Sequence, residues 1–302
     1  MPKNLLAHFA LFAVSLIYGS SHFIAKEVMP DYLKPNTFIL LRVAGTGVLF
    51  WIMRFFIREK IDKKDLGKIA LVGFFGVALN QLLFFQGLCI TSPIDSAIIM
   101  VTSPVIVTLL SLVILKTKLN AYKVSGILLG LIGAVLLIYL GGNSNGGSSI
   151  KGNLLIMANA TSYSLYLVLV KPLLAKYKPL TVITYMFTFA FFVVLPFGIS
   201  DVNDFSFDFP MVVLVSIAFV ILFTTFCTYL FNIFAVKQLS PMIASSYIYL
   251  QPVFAMIIGF VMSSIQAESN YASAITWQKL LCTLLIFVGV YLTSRGKKLA
   301  TT

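Results

Sequence analysis

Charged residues are scarce in this sequence, and acidic residues are scarcer than basic ones. Only 11% of the 302 residues are Asp, Glu, Lys or Arg, against about 25% in typical soluble domains. Because 59% of the residues are hydrophobic, so few charges cannot cover the surface of a soluble globule. The composition excludes a soluble domain and indicates a protein that resides in a lipid bilayer.

Cysteine is also rare, and its placement is uninformative for chemistry. The three cysteines, Cys89, Cys227 and Cys282, are odd in number and lie within or at the edge of apolar runs. This pattern indicates neither a disulfide framework nor a metal site, so we expect no metal and no cofactor. Alternation of apolar and polar residues with a period of two is absent, which excludes the strands of a membrane β-barrel.

Long apolar runs are what the sequence has in abundance. A helix that crosses a bilayer needs about 20 predominantly apolar residues. Ten runs of suitable length lie near residues 5–25, 37–57, 68–90, 94–115, 124–140, 154–174, 181–200, 211–236, 242–264 and 280–295. We therefore predict an all-α membrane protein with ten transmembrane helices.

Basic residues are distributed unevenly between the predicted loops. With the N-terminus inside, 17 of the 22 Lys and Arg residues fall on the inner side and four on the outer side, while Arg42 lies within span 2. Loops rich in Lys and Arg stay on the cytoplasmic side. We predict a multi-pass protein of the inner (plasma) membrane with both termini cytoplasmic. The net charge of +12 then has a topological explanation, and we expect no nucleic-acid partner.

The two halves of the chain repeat each other in order. Tyr18 and Lys26 recur 145 positions later as Tyr163 and Lys171. Pro93 and Pro104 recur 148 positions later as Pro241 and Pro252. Lys123 and Gly133 recur 156 positions later as Lys279 and Gly289. We predict a first repeat over 1–140, a flexible Gly/Ser/Asn-rich linker over 141–153 and a second repeat over 154–302. Because five is odd, the second five-helix repeat is inverted relative to the first.

Several of these residues carry a family resemblance. They are the segment from Leu16 to Lys26 (LIYGSSHFIAK), Leu40-Leu41-Arg42, Thr91-Ser92-Pro93 with Pro104, and Lys123 with Gly126 and Gly133. Together with ten spans and a duplication, they resemble the drug/metabolite transporter superfamily, EamA type, over essentially the whole chain. The resemblance implies export of small metabolites, often amino acids, and a central cavity between spans 1, 3, 4, 6, 8 and 9.

Polar residues at helical spacing mark helix faces that are turned away from lipid. Spans 6 and 8 have the clearest stripes, beginning at Asn159 and at Thr225. Such stripes face either a wet cavity or a neighbouring helix, which they would bind by hydrogen bonds. The predicted substrate-binding residues are Tyr18, His22, Arg42, Asn80, Gln81, Phe84, Ser103, Asn159, Tyr163, Tyr166, Thr228, Tyr229, Asn232, Tyr249 and Gln251.

Arg42 and the mid-span prolines have two readings each. Arg42 either clamps a substrate carboxylate or, as its modest depth favours, extends outward or pairs with Asp95 or Glu27. Pro104 and Pro252 lie at matching depths in spans 4 and 9, where each should kink its helix. The paired kinks suit either a gate or fixed bends that shape the bundle.

These observations predict a transporter that exports small metabolites, most often amino acids or related compounds, by alternating access. The alternatives are a multidrug or cation exporter and a non-transporting membrane scaffold, for which the spacing of Gly126 and Gly130 would supply a helix contact. We expect a non-enzymatic protein whose partners are a small-molecule substrate and membrane lipid. We expect it to be a monomer or a weak homodimer.

Overall fold

The described residues of the chain fold as ten helices that divide into two sets of five. The computed structural model describes residues 3–57, 59–114, 121–141, 149–201, 209–239, 241–265 and 276–295. Within these ranges no strand occurs, and the helices are α1 (Lys3–Val28), α2 (Pro35–Phe55), α3 (Lys63–Cys89), α4 (Pro93–Ile114), α5 (Ala121–Gly141), α6 (Ile150–Lys176), α7 (Pro179–Ser200), α8 (Met211–Gln238), α9 (Pro241–Ser246, Tyr247–Tyr249 and Leu250–Ile265) and α10 (Trp277–Arg295).

Most of these helices are long and apolar enough to cross a membrane. Eight meet that condition, and α5 and α10 contain the shorter described apolar stretches Val124–Gly133 and Trp277–Gly289. The predicted all-α membrane fold with two five-helix repeats is confirmed. The predicted linker falls mainly on residues 142–148, which lie outside the described residues, and α6 begins at Ile150.

The packing of the helices follows the duplication. Helix α1 packs on α8, and α6 packs on α3. In both pairs the first helix of one half contacts the third helix of the other half. Helices α2 and α7 pack on each other, as do α5 and α10. Helices of the two halves therefore interdigitate, and the space at the centre of the bundle belongs to both.

The third and fourth helices of each half are irregular at matching places. A π-helical segment interrupts α3 at Phe74–Ala78 and α8 at Val220–Cys227. Helix α4 is broken just before Pro104, and α9 passes through a 3₁₀ turn just before Pro252. Both predicted kinks are present, because proline cannot donate the amide hydrogen bond that a continuous helix requires.

Helices α5 and α10 pack closely against each other through glycine residues. A Cβ atom added to Gly289 would lie 2.6 Å from the backbone of Gly126 and of Gly130, and one added to Gly133 would lie 3.0 Å from the carbonyl oxygen of Cys282. The Gly126–Gly130 spacing is thus used inside the chain. It is not left open for a second protein, as the scaffold alternative would have required.

Candidate substrate cavity

A cavity lies at the centre of the bundle, between helices of both repeats. It measures about 60 Å³, and since one water needs roughly 10–15 Å³ it has room for several. Helix α2 contributes to its wall in addition to the six helices that the resemblance implied. The lining residues are Tyr18, Ser21, His22, Arg42, Asn80, Gln81, Phe84, Phe85, Met100, Asn159, Tyr163, Thr224, Tyr229, Ile248 and Gln251.

Arg42 is the one fully charged side chain among these lining residues, and it is only 3% exposed. Its Nε and Nη2 atoms donate to the Thr225 hydroxyl oxygen at 3.0 and 2.8 Å. The guanidinium carbon lies 4.2 Å from the centre of the Phe85 ring, a cation–π contact. Nη1 is buried and has no hydrogen-bond partner among the described residues.

The expected outward or paired position of Arg42 is wrong. Asp95 instead binds Lys279, with an Oδ1–Nζ distance of 2.7 Å, and both side chains are almost fully buried. The contacts of Arg42 are with the neutral Thr225 and with aromatic rings, so no carboxylate among the described residues compensates its charge. Helix α8 explains the inward position, since Thr225 in its π-helical segment supplies the acceptor that water would otherwise provide.

Three tyrosines from three helices surround the space beside Arg42. The Tyr163 hydroxyl accepts from Asn232 Nδ2 at 2.6 Å, and the Tyr229 hydroxyl donates to the carbonyl oxygen of Gly76 at 2.8 Å. Tyr18 lies beside Arg42. The bond to Gly76 uses a carbonyl in the π-helical segment of α3, where the regular hydrogen-bond ladder is interrupted. The irregular helix therefore helps to fix a cavity side chain.

His22 lies in the cavity wall, where its ring makes a T-shaped contact with the Phe84 ring at a centroid distance of 5.2 Å. Its Nδ1 is 2.6 Å from the Ser96 hydroxyl oxygen, and that hydroxyl donates to the carbonyl oxygen of Pro93. Because Ser96 has a single hydroxyl proton, this network assigns the proton between the two residues to His22 Nδ1. In the neutral ring Nε2 is then an acceptor.

Two amide oxygens of the cavity wall, Asn159 Oδ1 and Gln81 Oε1, also lack a partner among the described residues. Asn159 donates from Nδ2 to the carbonyl oxygen of Asn80 at 2.7 Å, while its Oδ1 is buried without a partner among the described residues. Buried polar atoms without partners cost free energy, which a bound solute or water would recover. The cavity therefore presents an unpaired donor on Arg42 and an unpaired acceptor on Asn159.

Ten of the fifteen predicted site residues line this cavity. The other five are Ser103, Tyr166, Thr228, Tyr249 and Asn232. The backbone of Ser103 accepts from Ser164, and the Thr228 hydroxyl donates to carbonyl oxygens of its own helix. The Tyr249 ring packs on Phe287 in α10.

The remaining two act from behind the cavity wall. A Cβ atom added to Gly76 would lie 2.6 Å from the Tyr166 ring, so this ring occupies the gap that the glycine leaves. Asn232 binds the hydroxyl of the lining residue Tyr163 and therefore positions it. Both residues belong to the polar stripes on the helices that line the cavity, but a stripe covers more of a helix surface than the cavity does.

Five lining residues are not among the predicted site residues: Ser21, Phe85, Met100, Thr224 and Ile248. Thr224 is instructive, because the predicted stripe on span 8 begins one residue later, at Thr225. The predicted stripe follows α-helical spacing, whereas Val220–Cys227 is π-helical, with more residues per turn. The sequence contains the two adjacent threonines, but it does not indicate the change from α-helical to π-helical period that turns Thr224 toward the cavity.

A duplicated all-helical membrane fold with a polar central cavity defines the class of membrane carriers built from repeats. The model of the EamA-like transporter family matches the chain twice, over residues 5–139 and 150–295. The chain belongs to this family and is a membrane transporter.

Individual relatives agree with that assignment. The uncharacterized transporter YetK of Bacillus subtilis is 28% identical over 70% of this chain and 66% of its own length. An uncharacterized transporter of Archaeoglobus fulgidus is 23% identical over 94% of this chain and 98% of its own length. A probable terminal-alkyne amino-acid exporter of Streptantibioticus cattleyicolor is 26% identical over 66% of this chain and 65% of its own length.

A solved structure shares the fold. It superposes with a TM-score of 0.64 at 16% identity and covers 98% of this chain and 99% of its own. At that identity the similarity concerns the fold alone.

Proposed function

We propose that this protein exports small carboxylate metabolites, amino acids among them, by alternating access. The observation that carries the proposal is the buried guanidinium of Arg42, which lines the central cavity and keeps an unpaired Nη1. A carboxylate is the group that a guanidinium binds best, through two parallel hydrogen bonds. Arg42 would hold the substrate carboxylate, and the tyrosines beside it would line the rest of the molecule.

The arrangement of the repeats supports alternating access. The cavity takes its walls from α1 to α4 of the first half and from α6, α8 and α9 of the second. Inverted halves around a shared site can exchange conformations, so that the site opens first to one side and then to the other. The uneven distribution of basic residues supports a plasma-membrane orientation with both termini cytoplasmic.

An amino acid would find acceptors as well as a donor here. Its ammonium group needs oxygen or nitrogen acceptors, and Asn159 Oδ1 lacks a partner in the wall. The relative named as a probable amino-acid exporter supports the same substrate class. A multidrug or cation exporter is disfavoured, because a cation would enter a cavity that already contains the uncompensated charge of Arg42.

Transport by purified protein in proteoliposomes tests this proposal. Uptake and efflux of radiolabelled amino acids and other small carboxylates would be measured for the wild type, Arg42→Gln and Arg54→Gln. Arg54 is a matched control: it lies on the same helix and donates to Thr181 at 2.8 Å, yet it does not line the cavity.

We expect Arg42→Gln to raise the KM for carboxylates about 30-fold or more, the effect of about 2 kcal/mol for a lost buried charge partner. Arg54→Gln should leave the relative KM values of the substrates unchanged. Equal transport by the wild type and Arg42→Gln would contradict the proposed role of Arg42.

A further inference from the structure

The cavity has a net charge of about one positive unit. Among the lining residues Arg42 is always protonated, and neither aspartate nor glutamate is present. Tyrosine phenols are neutral near pH 7, and the network with Ser96 is satisfied by a neutral His22 ring. The charge of Arg42 is therefore the net charge of the empty site.

Two aspartates that are buried in the described part of the chain are already paired with lysines. Asp95 binds the buried Lys279, and Asp65 binds Lys176. Both pairs join a helix of the first repeat to a helix of the second. Asp95 cannot serve Arg42 without leaving the buried Lys279 unpaired, and a buried unpaired charge is strongly destabilising. Among the described residues that line the cavity no carboxylate supplies the missing counter-charge, and a bound anion would supply it.

We infer that the preferred substrate is a monocarboxylate with a net charge of −1 and that its transport moves one net negative charge across the membrane per cycle. The inference rests on the proposed function and concerns the same site. A monoanion leaves the loaded cavity neutral, whereas a zwitterion leaves the charge of Arg42 in place and a cation doubles it. Desolvation of the loaded site is least costly in the neutral case.

The membrane potential then becomes the driving force. One elementary charge moved through 100 mV corresponds to about a 50-fold concentration ratio at equilibrium. An anion moves toward the positive side, which is the outside of a cell with a negative interior. Export of a monoanion therefore needs no coupled ion.

Pairs of 2-oxo acids and amino acids with the same side chain separate charge from shape. Pyruvate and alanine, 2-oxoisovalerate and valine, and phenylpyruvate and phenylalanine differ mainly in that an oxo group replaces the ammonium. Radiolabelled forms of all six would be offered to proteoliposomes at equal pH on both sides, with potentials of −100, 0 and +100 mV set by potassium gradients and valinomycin.

We expect a 2-oxo acid to be transported with a higher kcat/KM than its amino-acid counterpart. It should accumulate about 50-fold inside vesicles held at +100 mV and be excluded at −100 mV. Amino acids should equilibrate to the same level at all three potentials. In Arg42→Gln the preference for the 2-oxo acid should disappear, while Arg42→Lys, which keeps the charge, and Arg54→Gln should retain it.

The possible failures are distinguishable. If 2-oxo acids are transported but their final ratio ignores the potential, or if amino acids are preferred, this inference is overturned and the carboxylate carrier remains. If none of the six solutes shows flux above empty vesicles, although the variants and the wild type are monodisperse and equally thermostable, the proposed function fails as well.

Discussion

The two repeats of this transporter share a scaffold but differ in the chemistry that they bring to the cavity. Helices α2 and α7 both begin after a lysine with proline at the first helical position, Pro35 and Pro179. The third helix of each half has a π-helical segment, and the fourth is broken before a proline. These shared irregularities lie in the helices that line the site.

A pair of lysines shows how detailed the shared scaffold is. Lys26, near the end of α1, donates to the carbonyl oxygen of Thr91 in the turn before α4. Lys171, at the equivalent place in α6, donates to the carbonyl oxygens of Val236 and Leu239 before α9, at 2.6 and 2.8 Å. Each lysine ties the first helix of its repeat to the turn between the third and fourth.

The cavity chemistry lacks this symmetry. Counted from the prolines that begin α2 and α7, the position of Arg42 corresponds to Met186, a fully buried residue of the hydrophobic core. One half therefore supplies the charge and the other an apolar counterpart. We interpret the shared features as serving the conformational exchange in the proposed mechanism, and the unshared arginine as serving selectivity.

The largest effect should come from removing that asymmetry. Arg42→Met would give α2 the residue that α7 has at the matching position. Because the site would lose its only full charge, we expect carboxylate transport at low substrate concentration to fall about 30-fold or more. Flux assays with a carboxylate in proteoliposomes measure this, and Met186→Leu is the matched control. Retained carboxylate flux in Arg42→Met would show that the asymmetry is irrelevant to selectivity.

An intermediate effect is expected from the two lysine ties. Lys26→Met and Lys171→Met each remove charge-assisted hydrogen bonds to backbone carbonyls, which contribute about 1.5–3 kcal/mol apiece. Both variants should lower the unfolding midpoint in detergent by several degrees, with the larger shift for Lys171, which has more carbonyl partners. A loss confined to one variant would mean that the two ties are not equivalent.

The smallest effect concerns a contact within the second repeat. Asn232→Ala should weaken transport only through Tyr163, whose hydroxyl Asn232 binds. We expect Asn232→Ala and Tyr163→Phe each to raise the KM by about 3- to 10-fold, the equivalent of one lost hydrogen bond. The double variant should be no worse than the more severe single one, because the residues act as a unit. Additive losses would assign Asn232 an independent role.

Much of the fold could be predicted because the signals for membrane helices lie within short stretches of sequence. The apolar runs and the kinks at Pro104 and Pro252 depend on a few neighbouring residues, and both features appear in the structure. The polar stripes of spans 6 and 8 likewise lie on helices that line the cavity. Polar stripes could not show that Tyr166 and Tyr249 would pack on other helices, since that depends on how each helix is rotated against its neighbours.

The sequence alone determined that the chain lies in the membrane, that it is duplicated and that the halves are inverted, because composition, helix length and an odd number of spans suffice for those conclusions. Only the tertiary structure decided the position of Arg42. Its depth in span 2 favoured an exposed or paired side chain. In the structure Asp95 is paired with Lys279 instead, and contacts with Thr225 and Phe85 hold the guanidinium of Arg42 in the cavity wall. Those partners are distant in sequence, so no local pattern could reveal them.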